Sequence, residues 1–224
     1  MTMTDDDVEL SPPAPRPDRV RTTLLVVLAA AALLAAGAIG FLISDKSSSN
    51  SSGLTRPAAV DVGFAQDMAA HHQQAVTMAG YVRDNTTDRA VFTLAYDIET
   101  SQSLQMGDFR GWLDAWQEPL VDQSPMAWMD HPLEPGGLMT GMATPAEMSA
   151  LQQMSGKALD IRFLQLMIRH HQGGVIMAKY ALAHATLDYV RTAASSIVAA
   201  QSSEIITMEQ MLRELGGRPL APAQ

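Results

Sequence analysis

Asp61-Val-Gly-Phe-Ala-Gln-Asp-Met-Ala-Ala-His-His-Gln-Gln-Ala-Val-Thr-Met-Ala-Gly-Tyr81 aligns without a gap to Asp160-Ile-Arg-Phe-Leu-Gln-Leu-Met-Ile-Arg-His-His-Gln-Gly-Gly-Val-Ile-Met-Ala-Lys-Tyr180. The offset is 99 residues, and 11 of the 21 positions are identical. The same offset pairs Ile98 with Ile197, Gln102 with Gln201 and Leu113 with Leu212. A unit that recurs once at this distance reads as a duplicated helical hairpin rather than a long solenoid. Within both blocks the apolar residues return every three and four positions, which is the helical period, and no strand-like alternation competes.

Outward from the blocks, the pattern predicts four long helices. The first covers about Val60 to Arg83 and the second about Asp88 to Trp116. The third opens at Thr144-Pro145-Ala146-Glu147, a capping box with proline at the first helical position, and runs unbroken to about Ala183. The fourth runs from about Leu187 to Leu215, where Gly216-Gly217 and then Pro219 stop it. Two hairpins of this kind predict an all-α, four-helix bundle over residues 59–217, followed by a short tail at 218–224. The segment Pro119 to Ala143 is too long for a tight turn between helices. It is either functional or a long crossover.

The chain before the bundle has three parts. Residues 1–21 are polar and proline-rich and read as a disordered cytoplasmic tail. Thr22 to Ser44 carries no charge. As a helix it is roughly 34 Å long, enough to cross a bilayer core. Residues 45–58, with Ser47-Ser48-Ser49-Asn50-Ser51-Ser52-Gly53, read as a flexible tether. Arg16, Arg19 and Arg21 precede the span and only Lys46 closely follows it, so the positive-inside rule puts the N-terminus in the cytoplasm. The expectation is a single-pass cell-membrane protein with an extracytoplasmic domain; a cleaved signal peptide is the competing reading of the same span.

Composition narrows the chemistry. Cysteine is absent, which removes disulfides, thiolate metal sites and cysteine nucleophiles. The net charge of −9 argues against nucleic acid as a partner. There are 15 methionines and only 5 phenylalanines, so methionine serves either as flexible core filler or as a soft metal ligand. On a helical wheel, Phe64, Met68, Ala75, Ala79 and Val82 form one stripe, with His71 and His72 on either side of it. Phe163, Met167, His170, His171, Gly174 and Ala178 repeat the arrangement. Met68 and Met167 lie three and four residues before their histidines, on the same face. Met78 and Met177 lie two turns further along.

Neutral imidazole suits copper, zinc, nickel or iron, and thioether selects Cu(I). The candidate metal ligands are therefore His71, His72, His170, His171, Met68, Met78, Met167 and Met177, with Met208 on the fourth helix. Histidine must be neutral to ligate, so affinity is expected to weaken as pH falls through about 6.5. Asp67, four residues before His71, is expected to orient its imidazole, and Asp61 and Asp160 to act as helix-start charges. Met126, Met129, His131, Met139 and Met142 suggest a mobile Met/His lid in the linker. Glu204 and Met208 share a face where the first half has Gln105 and Phe109, so the two halves are not chemically equal. No Glu-x-x-His, His-Glu-x-x-His, Gly-x-Ser-x-Gly or phosphate loop occurs, and nothing supports an enzyme activity.

Phe64-x3-Met68-x2-His71-His72 with Met78-Ala79, its copy from Phe163 to Ala178, and Gly141-Met142-Ala143-Thr144-Pro145-Ala146-Glu147-Met148 resemble the family called "domain of unknown function 305". The resemblance implies a ferritin-like helical bundle, commonly exported, with copper-binding members in the bacterial periplasm. The functional expectation is a membrane-anchored protein that buffers, sequesters or transfers copper, with Cu(I) as the favoured ion. Its partners would be that metal ion and, through residues 22–44, the membrane. A membrane-protein partner or a homo-oligomer stays open. Two alternatives remain: an interaction module of a membrane complex whose histidines are structural, and a copper oxidoreductase.

Overall fold

The structure is a computed structural model and describes residues 56–130, 133–134 and 136–221. The expected cytoplasmic tail, the 22–44 span, most of the tether and His131 lie outside the described residues. Among the described residues no helix is long and apolar enough to cross a membrane. The described chain contains helices and no strand. The helices are α1 (Ala59–Asn85), α2 (Arg89–Trp116), α3 (Pro145–Leu151), α4 (Gly156–His184) and α5 (Asp188–Glu214), with a short 3₁₀ turn at Ala127–Met129.

These elements form a helical bundle. Helix α1 pairs with α2 and α4 with α5, and the two hairpins meet chiefly through α1 against α4. The α1 stripe sits in the core as its spacing predicts: Phe64, Met68, Ala75, Ala79 and Val82 are fully buried. Helix α2 starts where the Asp88 carboxylate accepts from the amides of Ala90 and Val91. The capping box at the start of α3 is also present. Glu147 N donates to Thr144 Oγ1 at 3.1 Å, and Thr144 N to Glu147 Oε2 at 2.9 Å. The Glu147 carboxylate also pairs with Arg169 and Arg162, which hold its pKa down at about 2.

The third predicted helix is not continuous. It breaks after Leu151, and α4 begins again at Gly156, whose φ of +57° is a left-handed conformation that glycine adopts without a Cβ penalty. The break frees the carbonyls of Gln152 and Met154, and the Tyr81 hydroxyl on α1 donates to both. Helical periodicity carries straight through this point, which is why the sequence reads as one helix.

The 119–143 linker is a crossover that follows α1 along its length. Gln66 Nε2 donates to Pro119 O, Asp67 accepts from Met126 and Trp128, His71 meets Thr140 O, and Gln74 meets Ala143. Its path is tight. A Cβ on Gly63 would lie 2.5 Å from the Trp128 indole, so the ring needs glycine beneath it.

The apolar core falls into two clusters. One holds Phe64, Met68, Phe109, Leu113 and Met177 together with the linker residues Met126, Trp128, Met129 and Met139. The other holds Ala75, Met78, Val82, Ile98, Phe163, Met167 and Met208. Every long helix places a buried polar residue between the clusters: His71 and His72 on α1, Gln102 on α2 (with the apolar Met106 one turn on), His170 and His171 on α4, and Gln201 on α5. A buried polar layer thus crosses the middle of the bundle.

Candidate metal centre

The four histidines have no exposed surface. His71 and His170 face each other across the α1–α4 contact, with ring centroids 3.8 Å apart and planes tilted by 35°. His72 turns instead toward α2, and His171 toward α5. Each ring has one nitrogen against an oxygen. His71 Nε2 meets Thr140 O at 3.1 Å, and His170 Nε2 meets His71 O at 3.1 Å. His72 Nε2 meets Gln105 Oε1 at 2.7 Å, and His171 Nε2 meets Glu204 Oε2 at 2.7 Å.

These four oxygens are acceptors, so each Nε2 carries its hydrogen and donates. In a neutral imidazole the other nitrogen, Nδ1, must then present a bare lone pair. All four Nδ1 atoms are buried and have no hydrogen-bond partner. Buried polar atoms normally find partners, because an unmatched one bears its full desolvation cost. Gln102 and Gln201 extend the anomaly: both are buried, and neither the nitrogen nor the oxygen of either amide has a partner.

Burial also keeps three of these rings, His71, His72 and His170, neutral. Desolvation lowers the pKa of His71 to about 4 and of His72 to about 3, reinforced by the other imidazoles and opposed by the bonds to Thr140 and Gln105. Desolvation and the neighbouring rings also push His170 well below the ordinary value. The expected loss of ligating capacity near pH 6.5 is therefore displaced downward for these three.

The structure gathers the four histidines but distributes the methionines to both sides. Met68 and Met177 lie in one apolar cluster; Met78, Met167 and Met208 lie in the other, and all five are fully buried. Among the described residues no group of three or more His, Cys, Asp or Glu forms a metal cage. That holds for three-histidine and carboxylate groups alike. The available donors are imidazole nitrogens in the layer with thioether side chains above and below.

Three sequence expectations change. Asp67 does not orient His71: its Oδ2 accepts at 2.7 Å from both Met126 N and Trp128 Nε1, anchoring the linker. Met126, Met129 and Met139 are buried core residues rather than an open lid. Asp61 does accept from Ala58 N at its helix start, but it also accepts from Thr186 N, Thr186 Oγ1 and Leu187 N in the α4–α5 turn. Asp160 reaches across to the α1–α2 turn, taking the Thr86 hydroxyl at 2.6 Å. Gln102 and Gln201 escaped notice as site residues, although their identity at the 99-residue offset was the signal that marks them.

Fold and site together define a duplicated all-α bundle with a histidine layer buried between its halves. Residues 61–212 match the family described as "Domain of unknown function (DUF305)", and the chain belongs to that family. A DUF305 protein from Streptomyces coelicolor, described as secreted, is 45% identical and superposes with a TM-score of 0.68 over 72% of this chain and 96% of its own. A DUF305 fragment from Deinococcus radiodurans is 34% identical, with a TM-score of 0.61 over 70% of this chain and 98% of the fragment. CopM in its Cu(I)-bound form shares the fold at 24% identity, with a TM-score of 0.53 over 70% of this chain and 98% of CopM. CopM is also known with Cu(II) and with silver. No curated protein matches the chain significantly.

Proposed function

We propose that this protein is an extracytoplasmic carrier or buffer for copper, which it takes as cargo at the histidine layer, with Cu(I) favoured. The observation that carries the reading is the set of four inward Nδ1 lone pairs without a donor. A soft cation is the partner such atoms lack, and the buried thioethers of Met68, Met78, Met167 and Met177 on the same helices, with Met208 on α5, are the soft ligands that would join them. Each Nε2 contact orients its ring and fixes its tautomer, as the outer hydrogen bonds of metal-bound histidines do. The copper- and silver-bound forms of CopM, which has this fold, support the same assignment. Within this reading the bundle is ferritin-like, is held to the membrane by residues 22–44, and works outside the cytoplasm, as its secreted Streptomyces relative would.

The rival reading is an interaction module whose histidines are structural. It draws on the same Nε2 contacts, which tie α1 to the linker, to α2 and to α4. Competition titration with Cu(I) separates the two. Wild type should bind, and its melting temperature should rise with free metal, because an ion that binds the native state stabilises it. A variant with His71, His72, His170 and His171 all changed to alanine should lose that affinity. Retained affinity in the variant refutes the ligand set. A wild type that shows neither binding nor a thermal shift leaves the structural reading in place.

A further inference from the structure

The two halves of the layer differ in charge. His72 is backed by the neutral amide of Gln105, whereas His171 is backed by the carboxylate of Glu204. His71 and His170 are backed by main-chain carbonyls. Among the described residues, Glu204 is thus the one carboxylate bonded to an imidazole of the layer. It is partly exposed while His171 is not, so it carries negative charge from the surface to the edge of the buried site.

A second difference lies on the same side. Position 174 is glycine, and a Cβ there would come within 2.3 Å of Gln201 Oε1. The repeat places Ala75 at the matching position of α1. Helix α4 therefore admits the Gln201 amide closer to its axis, one turn beyond His171 on the same face. That amide is buried and unpartnered, as is Gln102 at the matching position of α2, so each end offers such an amide and the carboxylate of Glu204 is what sets the His171 end apart.

Burying a divalent ion requires more compensating charge and harder donors than burying a monovalent one. Building on the copper reading, we propose that Glu204 sets the charge of the ion accepted at each end of the layer. The His171 end, with the carboxylate behind its ring, takes a divalent ion such as Cu(II). The His72 end, with neutral Gln105, takes a monovalent ion. A hydrogen bond from Nε2–H to a carboxylate raises the electron-donating power of Nδ1, and an amide oxygen does so much less.

The test compares Cu(II) with Ag(I), a redox-inert monovalent probe, on the full-length protein. Glu204→Gln should weaken Cu(II) binding by roughly tenfold or more, the usual effect of removing such an outer partner, and change Ag(I) affinity by less than about threefold. The reverse change, Gln105→Glu, should strengthen Cu(II) binding. In the double swap E204Q/Q105E, the electron paramagnetic resonance signal of Cu(II) should become dependent on His72 instead of His171. Equal losses for both ions in E204Q, or no loss for either, overturn the proposal, as does a Q105E protein with unchanged Cu(II) affinity. If E204Q fails to fold, the Q105E arm decides. A wild type that binds neither ion removes the copper reading itself, whereas binding without discrimination removes only the role of Glu204.

Discussion

The α1–α2 half and the α4–α5 half bury matching residues toward each other and diverge where the linker lies. On α1 the linker is held by polar grips. Asp67 takes two donors from it, and Gln74 clasps Ala143 at both ends, donating to its carbonyl and accepting from its amide. On α4 the matching positions are Leu166 and Gly173. The contact at Gly173 works by omission: a Cβ there would stand 1.9 Å from Thr140 O. Gly141, at φ +82°, completes this close passage. The difference shows what duplication preserves. An interior shared by two copies is constrained in both, whereas a linker present once leaves the matching positions beneath it free to differ.

Acid should have the largest effect. The first-half pair, His71 and His72, has folded pKa values of about 4 and about 3 against about 6.5 in an unfolded chain. Below pH 6.5 the unfolded state therefore binds more protons than the folded one, and stability falls as pH drops. The cost is on the order of 1 kcal/mol or more per histidine for each pH unit down to the folded value. Urea unfolding at pH 6.5, 5.5 and 4.5 should show this decline, and His72→Asn should flatten it. A stability independent of pH over that range contradicts the buried neutral pair.

The aspartates at matching positions should come next. Asp61 holds four donors, three of them in the opposite hairpin's turn, while Asp160 holds the Thr86 hydroxyl. Asp61→Ala should cost about 4 kcal/mol and Asp160→Ala about 1 kcal/mol, since each hydrogen bond to a charged group is worth somewhat over 1 kcal/mol and stranded donors add to the loss. Equal costs in chemical denaturation would erase the asymmetry. The smallest difference should lie under the linker. Gly173→Ala is expected to cost about 2 kcal/mol through overpacking against main chain, and Gln74→Ala about 1 kcal/mol. A thermally neutral Gly173→Ala would mean that Thr140 does not press on α4.

The long helices, apart from the break between Leu151 and Gly156, and their buried histidines were legible because period and repeat are local properties of the chain. The start of α2 and the Thr144 capping box were legible for the same reason. What escaped depends on distant residues. Asp67 stands one turn from His71 in sequence but meets Trp128, 61 residues away, because the crossover brings that indole over Gly63. The linker methionines look like an exposed lid in a Pro/Gly-rich stretch, yet α1 and α4 supply them with a core. The direction of each imidazole was also hidden. Helical spacing fixes which face a ring occupies, and only the oxygens of Thr140, Gln105, Glu204 and His71 decide which nitrogen points inward.

Because Nε2 of His71, His72 and His170 holds its hydrogen against an oxygen while burial keeps these rings neutral, their Nδ1 atoms have none to release. An ion settling among them displaces no hydrogen ion, unlike one captured by thiols or by protonated imidazoles. Charge carried in by the ion must then be balanced by carboxylates such as Glu204 or by an accompanying anion. For the copper carrier proposed above, filling and emptying would then leave any hydrogen-ion gradient untouched.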